Sequence, residues 1–111
     1  MKKLNELTSL DMVEEFLENH ELSFLYVSRP DCSVCHAILP KLRELLDHYP
    51  LINLGHIDAN KVEEVAEKFL IFTVPIMLLM IDQKEYIRED RFVRFDRLKG
   101  RLEQIYGIYT S

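Results

Sequence analysis

Cysteine is scarce in this chain: only two occur among 111 residues, Cys32 and Cys35. In a reducing compartment such an isolated pair is more often catalytic or metal-binding than a structural staple. Long apolar runs are lacking too. No stretch approaches the roughly 18 residues that a spanning helix needs, and Met1-Lys2-Lys3 passes into polar Asn5 and Glu6 rather than an apolar core. Neither membrane association nor an export signal is therefore expected, and the chain reads as cytoplasmic. A basic excess is also missing: the formal net charge is -5, and the lysines and arginines are scattered, which argues against a nucleic-acid partner. There is no repeat, low-complexity tract or Gly/Ser linker. With 48% hydrophobic and 30% charged residues, the chain is expected to form one α/β domain over residues 1–111, active as a monomer.

What is present is concentrated in Cys32-Ser33-Val34-Cys35-His36, where an apolar strand gives way to an amphipathic helix. Two thiols at this spacing can close a disulfide across the first turn of a helix, so one site can carry two electrons reversibly. A sulfur at the helix N-terminus faces unpaired N–H groups and the positive end of the dipole, which favours thiolate. Asp31 opposes that effect, whereas Arg29 and a protonated His36 reinforce it. Cys32 is thus the expected nucleophile and Cys35, one turn deeper, the expected resolving thiol.

The surrounding pattern alternates. Thr8 with Asp11 suggests a capping box, followed by Leu10, Val13, Phe16 and Leu17 on one helical face through about Asn19. Leu22–Ser28 reads as a buried strand. Helical spacing resumes at Ser33, passes through a kinking Pro40 and ends before Pro50. Leu51–Asp58 reads as a second buried strand, and Asn60 with Glu63 caps a short helix carrying Val62, Val65, Ala66 and Phe69. Ile76–Ile81, a turn over Asp82–Glu85 and a returning strand over Tyr86–Phe95 suggest a hairpin. A last helix carries Leu98, Leu102 and Ile105, with Gly107 as its expected stop. The sheet is expected to be mixed, parallel first and antiparallel at the end.

Together these features resemble the thioredoxin family from about Leu4 to Tyr106. The Cys32–Cys35 motif follows a buried strand, Pro40 lies five residues past the second cysteine, and Thr73-Val74-Pro75 opens a strand as the family's cis-proline loop does. The resemblance implies the order β-α-β-α-β-α-β-β-α. It also implies that Pro75 is cis and packs against the cysteine pair, while Val74 pairs its backbone with an extended substrate; the plain alternative for Pro75 is a strand-start proline. Thr73, Val74 and Pro75 would form the substrate shelf. The implied partners are disulfide-containing substrate proteins, with a reductase or low-molecular-weight thiol as electron donor, and no cofactor beyond the Cys32–Cys35 disulfide.

Several residues depart from the family pattern. Asp31-Cys32-Ser33-Val34-Cys35 stands in place of Trp-Cys-Gly-Pro-Cys, and the chain has no tryptophan. Ser33 and Val34 lie at the positions that help tune the potential over a span of about 150 mV among relatives. The family's buried carboxylate and nearby lysine are replaced by Tyr26 and Leu54. An ordinary phenol is a poor base at neutral pH, so Cys35 is expected to lose its proton to water or a substrate group and to resolve slowly. Tyr26 alternatively only fills core. Arg94 is placed where relatives carry a glycine beside the active site; there it would support thiolate and favour acidic substrates, unless it is a solvated edge-strand residue. Leu70, where relatives often carry glycine, has no functional reading beyond packing.

Three other readings fit part of the motif. Cys-x-x-Cys-His is also the attachment sequence of c-type haem, but that chemistry requires an export route, a mostly helical chain and usually a distant ligand. Zinc could recruit the cysteines with His20, His36, His48 or His56, yet no second paired motif supports it. A redox-inactive adaptor that keeps the fold is the third, and the intact cysteine pair argues against it.

Overall fold

The computed structural model describes residues 1–111. In chain order they form β1 (Leu4–Glu6), α1 (Leu10–Asn19), β2 (Leu22–Ser28), α2 (Ser33–Leu46), β3 (Asn53–Asp58), α3 (Glu64–Lys68), β4 (Ile76–Ile81), β5 (Lys84–Glu89) and α4 (Phe95–Thr110). The five strands lie in the order β1-β3-β2-β4-β5. The β1–β3 and β3–β2 pairs are parallel, while β2–β4 and β4–β5 are antiparallel. The expected element order and mixed sheet are therefore both present.

Every residue of β2 is buried, as befits a central strand covered on both faces. Strand alternation divides its side chains. Phe24 and Tyr26 enter a core shared with Cys35, Leu42 and Leu46 of α2 and with Leu98 and Leu102 of α4. Leu25 and Val27 enter the opposite core, with Val13 and Phe16 of α1 and Val65 of α3. Gly55 of β3 permits close packing on that second side, since a Cβ there would lie 2.7 Å from Leu7 Cδ1.

Several element ends differ from the sequence reading. The N-cap of α1 is Ser9 rather than Thr8: it is the extended residue directly before the helix, and its Oγ accepts the Met12 N–H at 3.1 Å. The strand expected from Leu51 begins at Asn53, because Tyr49 to Ile52 is a turn closed by the Ile52 N–H on the Tyr49 carbonyl at 3.0 Å. The short third helix starts only at Glu64. Asn60 lies outside it, donating its N–H to Asp58 Oδ1 at 2.8 Å, and Glu63 makes no side-chain cap bond.

The hairpin turn is two residues, not four. Asp82 and Gln83 both take left-handed backbone, with φ of 49° and 66°, matching the right-handed twist of flanking strands. The returning strand stops at Glu89, short of the expected Phe95, because Asp90 accepts the N–H groups of Phe92 at 2.8 Å and Val93 at 3.0 Å and turns the chain. Gly107 does not end the last helix, which runs on to Thr110. Tertiary contacts hold this final turn: Tyr106 Oη accepts the Leu51 N–H at 3.1 Å, and the Tyr109 hydroxyl meets that of Tyr86 at 3.3 Å.

Candidate active site

The site is built where β2 becomes α2. The intervening corner is held by the Cys32 N–H on the Arg29 carbonyl at 3.2 Å and by His36 Nε2 on the Pro30 carbonyl at 2.7 Å. A carbonyl only accepts, so His36 Nε2 carries the proton. Its ring thus ties the first turn of α2 back to the corner. Asp31, Ser33, Val34 and Arg29 share this exposed corner.

Cys32 is the N-cap of α2, with extended backbone (φ -97°, ψ 101°), and its Sγ accepts the Cys35 N–H at 3.2 Å. The first turn of α2 contains no acidic side chain. The two sulfurs are bonded to each other as a disulfide, with the Cα atoms 5.3 Å apart. Burial distinguishes the two: Cys32 is half-buried, whereas Cys35 is 1% exposed. An incoming group can therefore meet only the outer sulfur. Pro40 lies inside α2 and leaves the His36 carbonyl without its usual helical donor.

Tyr26 lies under Cys35. Its hydroxyl donates to the Cys35 carbonyl at 2.6 Å, and burial pushes its acidity far below that of an ordinary phenol. Tyr26 is thus a structural donor as well as core filling. Leu54 is fully buried in the same core.

The loop leading into β4 is the second wall. Val74–Pro75 is cis, as expected, and Pro75 is buried. Leu70 is not packed: it is 66% exposed and has φ of 54°, the left-handed region. That backbone explains why a glycine would suit the position. Leu70→Gly is expected to stabilise the fold by about 1 kcal/mol, measured by urea denaturation; the relieved strain outweighs the added flexibility of the unfolded chain. Arg88 of β5 clips this loop, donating to the carbonyls of Phe69 and Leu70. Glu85 holds Arg88 through a 2.8 Å ion pair, and the guanidinium hydrogen bond keeps the Glu85 carboxyl below its ordinary range.

Between the two walls lies a cleft of about 480 Å³ lined by Arg29, Phe72, Thr73, Val74, Arg91 and Phe92. Phe72 is 84% exposed and Phe92 73%, a large apolar surface to leave in water. The Arg91 guanidinium sits over the Phe92 ring at 4.8 Å. These two aromatics were missed in the sequence. The available signals were the aromatic directly before Thr73-Val74-Pro75 and the turn-forming Asp90 two residues before Phe92.

Arg94 does not belong to this cleft. It is the exposed N-cap of α4, 3.6 Å from Asp96, because the turn at Asp90 shortens β5 and delivers Arg91 and Phe92 where Arg94 was expected. The histidines are dispersed: His20 packs at a tilt against Phe16, His48 lines a cleft between α2 and α4, and His56 lies on β3. No three His, Cys, Asp or Glu side chains gather in a metal-binding arrangement.

This geometry is that of a disulfide-bonded CxxC corner and a cis-proline loop on a five-stranded mixed sheet. The Thioredoxin family profile matches residues 4–103, and the chain belongs to the thioredoxin family. It is 51% identical to the thioredoxin-like protein YdfQ of Bacillus subtilis, over 100% of this chain and 99% of that one. It is 28% identical to thioredoxin-2 of Pyricularia oryzae over 71% of this chain and 46% of that one. Among solved structures, oxidised thioredoxin O2 of Arabidopsis thaliana superposes with a TM-score of 0.81 at 22% identity, covering 93% of this chain and 94% of that one. The Plasmodium falciparum thioredoxin gives 0.77 at 20% identity, covering 96% and 99%. Family and bonded cysteine pair together support thiol-disulfide oxidoreductase chemistry.

Proposed function

We propose that this protein reduces disulfide bonds in other proteins, in the cytoplasm, with Cys32 attacking and Cys35 resolving. The observation that carries this reading is the asymmetry of the pair. Cys32 is the reachable sulfur at a helix N-terminus with a backbone N–H aimed at it, and Cys35 is buried behind it. The N–H and the helix dipole stabilise a Cys32 thiolate. That thiolate attacks one sulfur of a substrate disulfide and expels the other as a thiolate, forming a mixed disulfide. Cys35 then attacks Cys32 Sγ, the substrate leaves reduced, and the internal disulfide is restored. A reductase or low-molecular-weight thiol returns two electrons to close the cycle. The backbone of Thr73 and Val74 receives the extended substrate as an added strand.

The test is the reduction potential of the Cys32/Cys35 couple, obtained by equilibrating the protein in defined thiol buffers and counting alkylated cysteines by mass. A value near about -270 mV is expected of a cytosolic reductant; one near about -120 mV would make the protein an oxidant and overturn both direction and compartment. Absence of a reversible two-electron couple would leave only a binding role.

A further inference from the structure

The resolving step needs a proton acceptor inside the protein, and that need rests on the oxidoreductase reading above. Cys35 must become a thiolate to attack, yet it is 1% exposed and burial disfavours the charge. Tyr26 cannot serve, because its hydroxyl is committed as a donor to the Cys35 carbonyl. A cavity of about 260 Å³ lies beside Cys35, and Ser28, His36, His56 and Asp58 also line it. At about 30 Å³ per molecule it has room for bridging water.

Across this wall, the register places Glu6 of β1, His56 of β3 and Tyr26 of β2 in one row, so that they share a face. Ser28, two residues beyond Tyr26, points to the same face. The contacts are short: Glu6 Oε1 lies 2.7 Å from His56 Nδ1, and Ser28 Oγ lies 2.6 Å from His56 Nε2. An ionised carboxylate only accepts, so Nδ1 carries the proton. In the neutral imidazole Nε2 then holds the lone pair and accepts the Ser28 hydroxyl. This is the arrangement of a base oriented by a carboxylate, with a hydroxyl beside the base and both lining the cavity. Burial grades outward along it, from Cys35 at 1% through His56 at 18% to Glu6 at 56% exposed, so a proton collected inside has a way out.

We infer that His56 is the proton acceptor for Cys35, acting through Ser28 and cavity water, with Glu6 as the residue that positions it. In the step, Cys35 Sγ gives its proton to the water, Ser28 relays one to His56 Nε2, and Glu6 stabilises the imidazolium. The Cys35 thiolate then forms the Cys32–Cys35 bond as the Cys32–substrate bond breaks, and the departing substrate sulfur takes the electron pair. Imidazole exchanges protons in the neutral range, which suits a step turning over at physiological pH. The other charged or titratable groups facing His56 and the cavity are Asp58 of β3, Arg29 at the end of β2 and His36 of α2. His36 has its Nε2 proton committed to Pro30, and Asp58 accepts the Asn60 N–H. The slow, unassisted resolution expected from the absence of a carboxylate at Tyr26 is thereby replaced by an assisted one.

The test is stopped-flow reaction of the reduced full-length protein with 5,5′-dithiobis(2-nitrobenzoate). The first thionitrobenzoate released reports attack by Cys32, and the second reports resolution by Cys35. His56→Gln is expected to slow the second phase by about 10- to 100-fold near pH 7 and leave the first within about twofold, which also shows that the variant is folded. Ser28→Ala should act in the same direction, and Glu6→Gln more weakly, by about threefold. The defect should vanish near pH 10, where solvent deprotonates Cys35 directly; a merely structural role would persist there. A second phase unchanged in both His56→Gln and Ser28→Ala, or slowed equally at both pH values, overturns the inference and spares the reductase reading. A wild-type protein that releases no thionitrobenzoate overturns both.

Discussion

Cys35→Ser is expected to convert the protein from a turnover catalyst into a trap. With Cys32 intact at the mouth of α2, attack on a substrate disulfide still proceeds. The hydroxyl at position 35 cannot displace the substrate, so the mixed disulfide persists. Turnover in a protein-disulfide reduction assay should fall by on the order of 1000-fold or more, because the two sulfurs act as one unit. Non-reducing electrophoresis after incubation with a disulfide substrate should show covalent adducts that dithiothreitol dissolves. Cys32→Ser should abolish turnover equally and form no adduct, since the remaining thiol is buried. Adducts with Cys32→Ser and none with Cys35→Ser would show that the roles are reversed.

The second large effect is on stability and concerns Tyr26. This side chain is fully buried in the α2/α4 core, and its hydroxyl satisfies the Cys35 carbonyl. Tyr26→Ala removes an aromatic ring from a close-packed interior and is expected to cost about 3–5 kcal/mol in urea denaturation at constant redox state. Tyr26→Phe keeps the ring and loses only a hydrogen bond to a carbonyl that lies within α2, so its expected cost is about 0.5–1.5 kcal/mol. The ordering of the two variants separates packing from hydrogen bonding. Equal losses would mean that the hydroxyl carries the whole effect.

The parts of this protein that could be read in advance are those whose chemistry is local in sequence. Cys32 and Cys35 three residues apart, Pro40 within a helix and Thr73-Val74-Pro75 before an apolar run each constrain the backbone within a few positions. The buried strands were equally plain, because β4 is apolar on both faces and β2 is broken only by Ser23 and Ser28 near its ends. Reading failed at turns, where one side chain redirects the chain. Asp90 ends β5 early, which moved the cleft residues from Arg94 to Arg91 and Phe92. Leu70 looked like core by composition, yet its left-handed backbone turns the side chain outward. The Glu6–His56–Ser28 row lay out of reach for a different reason. Its members are 50 and 28 residues apart, and only the register of three strands unites them.

The two outer strands bear on how the protein behaves at high concentration. At one margin of the sheet, β1 is only three residues long. At the other, β5 displays Lys84, Glu85 and Arg88 to solvent in mixed charge, and Arg101 of α4 reaches the Tyr86 carbonyl at 3.4 Å. Neither margin offers a long, flat, neutral template for another polypeptide. The flanks are thereby protected from pairing with copies of the same chain, and crowded solutions of the protein should stay clear where an unguarded sheet would build fibres.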